Sequence, residues 1–227
     1  MNSLQQTPWD KRTFQIDTYE IVDINENTLK LTDELEGHFT AKIDPLANHK
    51  LLHAYGFYYV DTLIEPRCKK EKLQLFHNDT VRLTTDFDAD NVLEIAANTF
   101  EHGRFHRDYM IPNHLADKRY MRWVEDLIEE DGIYALIHNE REVGFYGFKN
   151  DRALLLSIHP DYQGANLAKS FTSMCLKRQF ELGYEELKTS ISAANVKSLN
   201  LFIKLGFTLH KTVDVYHKLH GAPLKEV

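Results

Sequence analysis

Residues 163–168, QGANLA, set small and polar side chains at the mouth of a predicted helix, and the chemistry that suits them is the holding of a phosphate. The run before them, LLLSI at 154–158, is strand-like and stops at His159-Pro160. A helical pattern opens near residue 165, so the first N–H groups of a helix, which find no partner within it, sit beside the end of a strand. Those groups and the positive end of the helix dipole favour an anionic oxygen. Gly164 and Asn166 are residue types that tolerate a positive φ, while Ala165 and Ala168 leave the backbone open to a ligand. Backbone N–H groups after Ile158 could polarise a carbonyl in the manner of an oxyanion hole.

Acid–base candidates gather in the polar-aromatic stretch 101–110, EHGRFHRDYM. His102, His106 and Asp108 are each able to take a proton, and the Arg104 guanidinium suits the paired oxygens of a diphosphate. His102 and His106 stand four apart with no third ligand nearby, so no metal is expected. Cys68 and Cys175 are distant in the chain and lack metal-like spacing; Cys175 reads as a buried, inert thiol. The 34 acidic and 27 basic side chains are spread along the chain and leave a formal charge of −7. That distribution offers no basic face to nucleic acid, and no nucleic-acid partner is expected. The first residues, MNSLQQTPWDKR, hold no apolar leader, and no run nears the roughly 18 residues that span a bilayer. A cytoplasmic protein without a membrane partner is the expectation.

These groups need elements to place them. With 227 residues and 43% hydrophobic content the chain can bury a substantial core. Residues 19–24 and 28–31 read as strands around a hairpin turn at Asn25-Glu26-Asn27. Residues 37–43 and 57–64 are further strands, the second preceded by a short helix over 45–55 that Gly56 stops. The charged, proline-broken run 65–72 reads as a linker, which divides the chain into residues 1–78 and 79–227. Beyond it the pattern predicts a strand at 81–84, helices at 88–100 and 113–130, strands at 132–138, 143–149 and 153–158, and a long helix capped by Gly183. A strand at 187–192, a helix at 195–205 and a final strand pair through Lys218 complete it. Residues 50–62, KLLHAYGFYYVDT, also lie on 200–212, NLFIKLGFTLHKT, with helix, Gly-Phe and strand in register, the mark of a degenerate half-repeat.

The turn resembles the pyrophosphate-binding signature of the GCN5-related N-acetyltransferase superfamily, Q/R-x-x-G-x-G/A, with Gln163 first, Asn166 in place of the middle glycine and Ala168 last. Asn195-Val196-Lys197-Ser198 followed by LFIKLGF at 201–207 resembles that superfamily's Asn-led helix and Gly-Phe ending. WDKRTF at 9–14, GFYYVD at 56–61, Gly103-Arg104-Phe105 and Tyr120-x-x-Trp123 extend the resemblance to bacterial acetyltransferases of dTDP-linked amino sugars, the dTDP-fucosamine type.

The resemblance implies an α/β (α+β) fold in which a mixed central sheet, flanked by helices, splays at the cofactor site. Residues 1–78 would be a smaller, partial repeat on the acceptor side. It implies acetyl-CoA as acyl donor, held by Ile158, residues 163–168, Asn195 and Ser198, and an amino sugar on a nucleotide as acceptor, within cell-surface polysaccharide biosynthesis. Asp61 matches an acidic residue that acts as base through water; His106 is its rival. Arg104 would meet the diphosphate of the nucleotide-sugar, and Asp17, near the Trp9 motif, its amine or a sugar hydroxyl. The usual tyrosine acid is replaced by Phe202, which can pack against the pantetheine arm but donates no proton; Ser198 or water would have to serve. Another small amine, a peptide N-terminus, or a silent acyl-CoA-binding role stays open, as does pairing with a second copy of the chain.

Overall fold

Why a sheet forms is plainest in the middle of the chain. Buried residues run along β6 (Ile133–His138), β7 (Arg141–Lys149) and β8 (Arg152–Ile158), without a break over residues 143–148 of the central strand, and Asn139 and Glu140, both at positive φ, close the first hairpin in two residues. The computed structural model describes residues 3–97, 99–101, 103–164 and 167–224. Ahead of that meander come β1 (Leu4–Gln6), α1 (Pro8–Phe14), β2 (Thr18–Ile21), α2 (Glu26–Glu34), β3 (Gly37–Ile43), α3 (Lys50–Ala54), β4 (Tyr58–Lys69), β5 (Val81–Thr84), α4 (Ala89–Ala97) and α5 (Asn113–Glu129). After it come α6 (Leu167–Glu181), β9 (Glu186–Lys188), β10 (Ile191–Ser192), α7 (Val196–Lys204) and β11 (Thr208–His220).

The strands form one mixed sheet in the order β1-β2-β3-β11-β4-β9-β8-β7-β6-β5, with β10 paired to β4 off that path. Helices α2, α3, α6 and α7 cover one face, over Leu29, Phe39, Tyr146 and Phe207. The other face carries α4 and α5 over Val92, Ile95, Phe145 and Leu155, and α1 with the 103–111 loop through Phe14 and Phe105. The mixed α/β sheet with helices on both faces is the expected fold. Among the described residues no helix is long and apolar enough to cross a membrane.

The expected hairpin at 25–27 is instead the start of α2. Asn25 accepts the N–H of Thr28 as an N-cap, and Thr28, Leu29 and Thr32 bury one helical face. The expected linker at 65–72 is instead the second half of β4 and a 3₁₀ turn, Lys70–Lys72. Pro66 is tolerated in β4 because the ladder to β11 is irregular beside it, between Leu209 and Lys211. The predicted strand at 187–192 breaks in two, and the terminal strand pair is one strand of 13 residues, β11. The boundary near residue 78 therefore falls between neighbours in a single sheet: β4, from the first part, lies between β9 and β11.

The half-repeat has a geometric counterpart. The halves β2-α2-β3-α3-β4 and β8-α6-β9-α7-β11 each hold a parallel strand pair, and each sends its last strand beside the middle strand of the other. Adding 150 to Leu63 gives Val213, its own cross-strand partner. The same shift turns the pair Tyr58 and His217 into Thr208 and Arg67, and Asp61 and Val215 into Lys211 and Glu65. Even the bulges correspond, since Val60 and His210 are the residues skipped in the ladder. Gly56 and Gly206, both at positive φ, turn the chain at matching places.

Candidate functional site

The two halves differ where it matters for a ligand. β2 and β3 stay paired through Thr18–His38, Tyr19–Phe39 and Glu20–Thr40, whereas β8 and β9 meet only at Arg152 and Lys188. Beyond that point β8 continues along β7 to Ile158, while β10 attaches to Leu63 and Ile64 of β4. The sheet therefore forks between the end of β8 and β10.

At one side of the fork stands the turn before α6. Gln163 Nε2 donates to the Ile158 carbonyl at 3.1 Å, which ties the turn to the strand end. Gly164 has φ 83, and a Cβ there would meet nothing within 4 Å, so its backbone is open to close approach. Ala165 and Asn166 lie outside the described residues, as does His102. Leu167 is buried in the core and Ala168 packs against it. On the other side Asn195 caps α7, its Oδ1 accepting from Ser198 N at 3.1 Å. Phe202 is also a core residue, edge-on to Phe207 at 4.9 Å between ring centres.

Asp61 is fully buried on the α5 face of β4, at the fork. Ser192 Oγ, from β10, donates to Asp61 Oδ1 at 2.9 Å, and Arg107 bonds the same oxygen. Burial raises this carboxyl's pKa above the usual carboxylate value, against the opposing pull of the Ser192 hydroxyl and the Arg107 charge. A carboxylate so placed holds a proton more readily than an exposed one.

The 103–111 loop is clamped over this face by its own acid. Asp108 Oδ1 accepts from Tyr58 Oη at 2.8 Å and Met110 N at 2.9 Å; its Oδ2 lies 2.7 Å from His217 Nδ1 and 3.3 Å from His38 Nε2. Burial alone would raise the Asp108 pKa, but the bonds from His217 and His38 hold it well below the usual range. Burial, with His38 beside it, pushes His217 down to about 3. Asp108 is thus ionised and His217 neutral at pH 7, with the His217 proton on Nδ1. Donor atoms of His38, Asp108 and His217 fall within 4.8 Å of one another, a span that would suit a cation. Yet both Asp108 oxygens already receive two partners each, which accounts for that carboxylate within a hydrogen-bonded network; His217 Nε2 is left without a partner.

Further along the loop, a Cβ on Gly103 would collide with Tyr120 Oη, so the loop runs directly over that ring. His106 stacks on Tyr120 and sets Nε2 2.8 Å from Asp117 Oδ1. Arg104 and Arg119 each place a guanidinium 4.7 Å from the Phe105 ring centre, and Arg119 Nε donates to Asp10 at 2.7 Å. This last bond brings the Trp9 segment to the Tyr120-x-x-Trp123 segment. Between α1 and α5 lies a cavity of about 390 Å³ with Trp9, Trp123, Arg119 and Arg122 in its wall.

Of the residues singled out from the sequence, Asp61, Arg104 and His106 share this face and Ile158, Gln163 and Gly164 line the fork. Asp17 is not brought to it: its carboxylate pairs with Lys11 at 2.6 Å on the surface. The sequence reading missed Arg107 and Ser192 as partners of Asp61, and Ser157, whose hydroxyl is buried without a partner. Ser157 had a signal, being the one polar residue in LLLSI.

The acetyltransferase (GNAT) domain model matches residues 80–208, more than half of the chain. The chain belongs to the GNAT acetyltransferase family. Its members draw their acyl group from acetyl-CoA, and the fork, the open turn at Gly164 and the capped α7 fit such a donor. A spore coat polysaccharide biosynthesis protein of Bacillus subtilis (strain 168), SpsD, is 19% identical over 144 residues, which cover 61% of this chain and 50% of that protein. The chain thus spans about half the length of that curated relative. Among solved structures, a GCN5-related N-acetyltransferase from Sphaerobacter thermophilus is similar with a TM-score of 0.59 and 11% identity, over 84% of this chain and 63% of that one. A tandem GNAT protein from the clavulanic acid biosynthesis pathway gives 0.54 and 11%, over 90% and 76%.

Proposed function

We propose that the chain transfers the acetyl group of acetyl-CoA to the amino group of a nucleotide-linked amino-deoxysugar, with Asp61 as the base. The observation that carries this reading is the Asp61 carboxylate, buried at the fork, bonded to Ser192 of the neighbouring β10, and left with one oxygen, Oδ2, without a partner. In the reaction the amine nitrogen bonds to the thioester carbon and the carbon–sulfur bond breaks. The proton lost by nitrogen passes to Asp61, directly or through a water, and the thiol leaves as thiolate. A thiol of ordinary pKa near 8.5 leaves tolerably without an acid, which suits a site with Phe202 where a tyrosine is usual. Gln163 and the open backbone at Gly164 would hold the donor's phosphates, and Asn195 its amide arm.

Two features support a nucleotide on the acceptor. Arg104 makes no hydrogen bond to a carboxylate among the described residues, so its guanidinium suits a diphosphate, and the cavity beyond it, walled by Arg12, Arg119 and Arg122 together with Asp126, Glu129 and Glu130, offers the indole surface of Trp9 and Trp123 to a base. The similarity to a polysaccharide biosynthesis protein agrees with a sugar substrate. The test is thiol release from acetyl-CoA with a panel of amines: a dTDP-linked amino-deoxyhexose, the free amino sugar, a polyamine and a peptide. The nucleotide-linked sugar should give the highest kcat/KM, by about a hundredfold over the free sugar; turnover confined to peptides or polyamines would remove this reading.

A further inference from the structure

Five buried side-chain polar atoms lack a partner among the described residues: Asp61 Oδ2, Arg104 Nε, His106 Nδ1, Ser157 Oγ and His217 Nε2. Buried polar groups are nearly always paired, so an unpaired set marks a place where something else completes the bonding. All five belong to the same side of the sheet. Asp61 and His217 face it from β4 and β11, where Asp61 pairs with Val215 and His217 with Tyr58. Ser157 pairs with Phe145, whose ring lies in the α4–α5 core of that face. Arg104 and His106 come down on it from the loop, over Phe105 and Tyr120.

The chemistry of the five is lopsided. In the ionised form that a base requires, Asp61 Oδ2 accepts only. His217 gives its Nδ1 proton to Asp108, so Nε2 carries a lone pair, and the His106 tautomer that donates from Nε2 to Asp117 presents Nδ1 as an acceptor too. Ser157 can do either, and Arg104 Nε alone must donate. A ligand that completes this set has to bring several N–H or O–H donors and few acceptors. Phosphate and carboxylate fail that requirement, and a plain alkylamine supplies too few donors.

We propose that Asp61 Oδ2, His106 Nδ1, Ser157 Oγ and His217 Nε2 form an acceptor-lined subsite that receives the hydroxyl groups and the amine of a polyhydroxylated amine, with His217 setting the preference for a hydroxylated ring. The inference rests on the amine-acetylating role proposed above and narrows its substrate by chemistry. The Asp108 bond holds His217 in the one tautomer that presents a lone pair, and the low pKa keeps that lone pair free at any working pH. Burying an unpaired acceptor is costly, and a site built to bond a hydroxyl rejects an analogue that lacks it.

The test compares the full chain with His217→Asn and Ser157→Ala on a dTDP-linked amino-deoxyhexose, the free amino-deoxyhexose and cyclohexylamine. An asparagine amide overlays Nδ1 and keeps the donor to Asp108 while removing the Nε2 acceptor. The readout is selectivity, the kcat/KM on each sugar divided by that on cyclohexylamine. It should fall about tenfold in His217→Asn and severalfold in Ser157→Ala, the latter with a melting temperature unchanged or higher because its hydroxyl had no partner to lose. If His217→Asn fails to fold, Ser157→Ala carries the test alone. Selectivity equal to that of the unaltered chain in every folded variant overturns the subsite. So does an unaltered chain that acetylates cyclohexylamine as well as the sugars, an outcome that leaves amine acetylation standing. No thiol release with any amine removes both readings.

Discussion

At the scale of single residues, the base role proposed for Asp61 rests on a charge held where charge is costly. Burial raises its pKa, and the Ser192 hydroxyl and Arg107 guanidinium restrain the rise. The ionised form, the one able to take a proton, is therefore reached only above the ordinary carboxylate range, and kcat should fall as pH drops through the raised value. Removing Arg107 removes a stabiliser of the anion. In Arg107→Gln the acid limb of the kcat profile should accordingly move to higher pH, and in Asp61→Asn kcat should drop by about 10²–10⁴-fold with the limb abolished. An acid limb that stays in place in Arg107→Gln would assign the titration to some other group. Little of this constellation was open to a reader of the sequence. Ser192 and Arg107 lie 131 and 46 residues from Asp61, and nothing in DTLIE marks its aspartate as buried. The resemblance pointed to Asp61, and folding supplied the partners. For Asp17 the reverse holds: it stays beside the Trp9 motif through its pairing with Lys11, but that pairing lies on the surface.

At the scale of elements, the sequence patterns were most telling where a single periodicity governed. The meander β6–β8 and the helices α4, α5 and α6 follow their apolar spacing. They failed where one residue type serves two purposes: Asn-Glu-Asn is good turn chemistry, yet Asn25 is also a strong N-cap, and only the burial of Thr28, Leu29 and Thr32 against the sheet decides for a helix. Pro66 misled in the same way, because a bulge in the facing strand cannot be seen from the chain that pairs with it. The matching helix-glycine-strand corners give a paired prediction. Gly56 and Gly206 both need positive φ, so alanine at either should cost about 1 kcal/mol from backbone strain. At Gly56 the added Cβ meets nothing within 4 Å, but at Gly206 it would collide with the Lys72 carbonyl oxygen. Gly206→Ala should therefore lose about 1–3 kcal/mol more than Gly56→Ala in urea unfolding. Equal losses would mean that the Lys70–Lys72 turn yields freely.

At the scale of the molecule, the pseudo-two-fold relation between halves decides what can be separated. Each half completes its partner's sheet: β4 fills the gap between β9 and β11, and β11 fills the gap between β3 and β4. The family match over residues 80–208 covers β8, the turn before α6 and α7 but contains neither β4 nor most of β11. A chain cut to residues 79–227 would retain that turn and lose Asp61, Tyr58 and His38. It would also leave β11 without β3 or β4 and β9 without β4, exposing the long hydrogen-bonding edges of β11, with Val213 and Val215 on one face of the strand and Tyr216 on the other. The truncated chain should thus aggregate or remain unfolded by circular dichroism and size-exclusion chromatography, and adding residues 1–78 as a separate polypeptide should restore soluble material that binds acetyl-CoA. A soluble, cooperatively folded 79–227 fragment would show that the shared sheet is dispensable, and that the first half acts as a detachable partner.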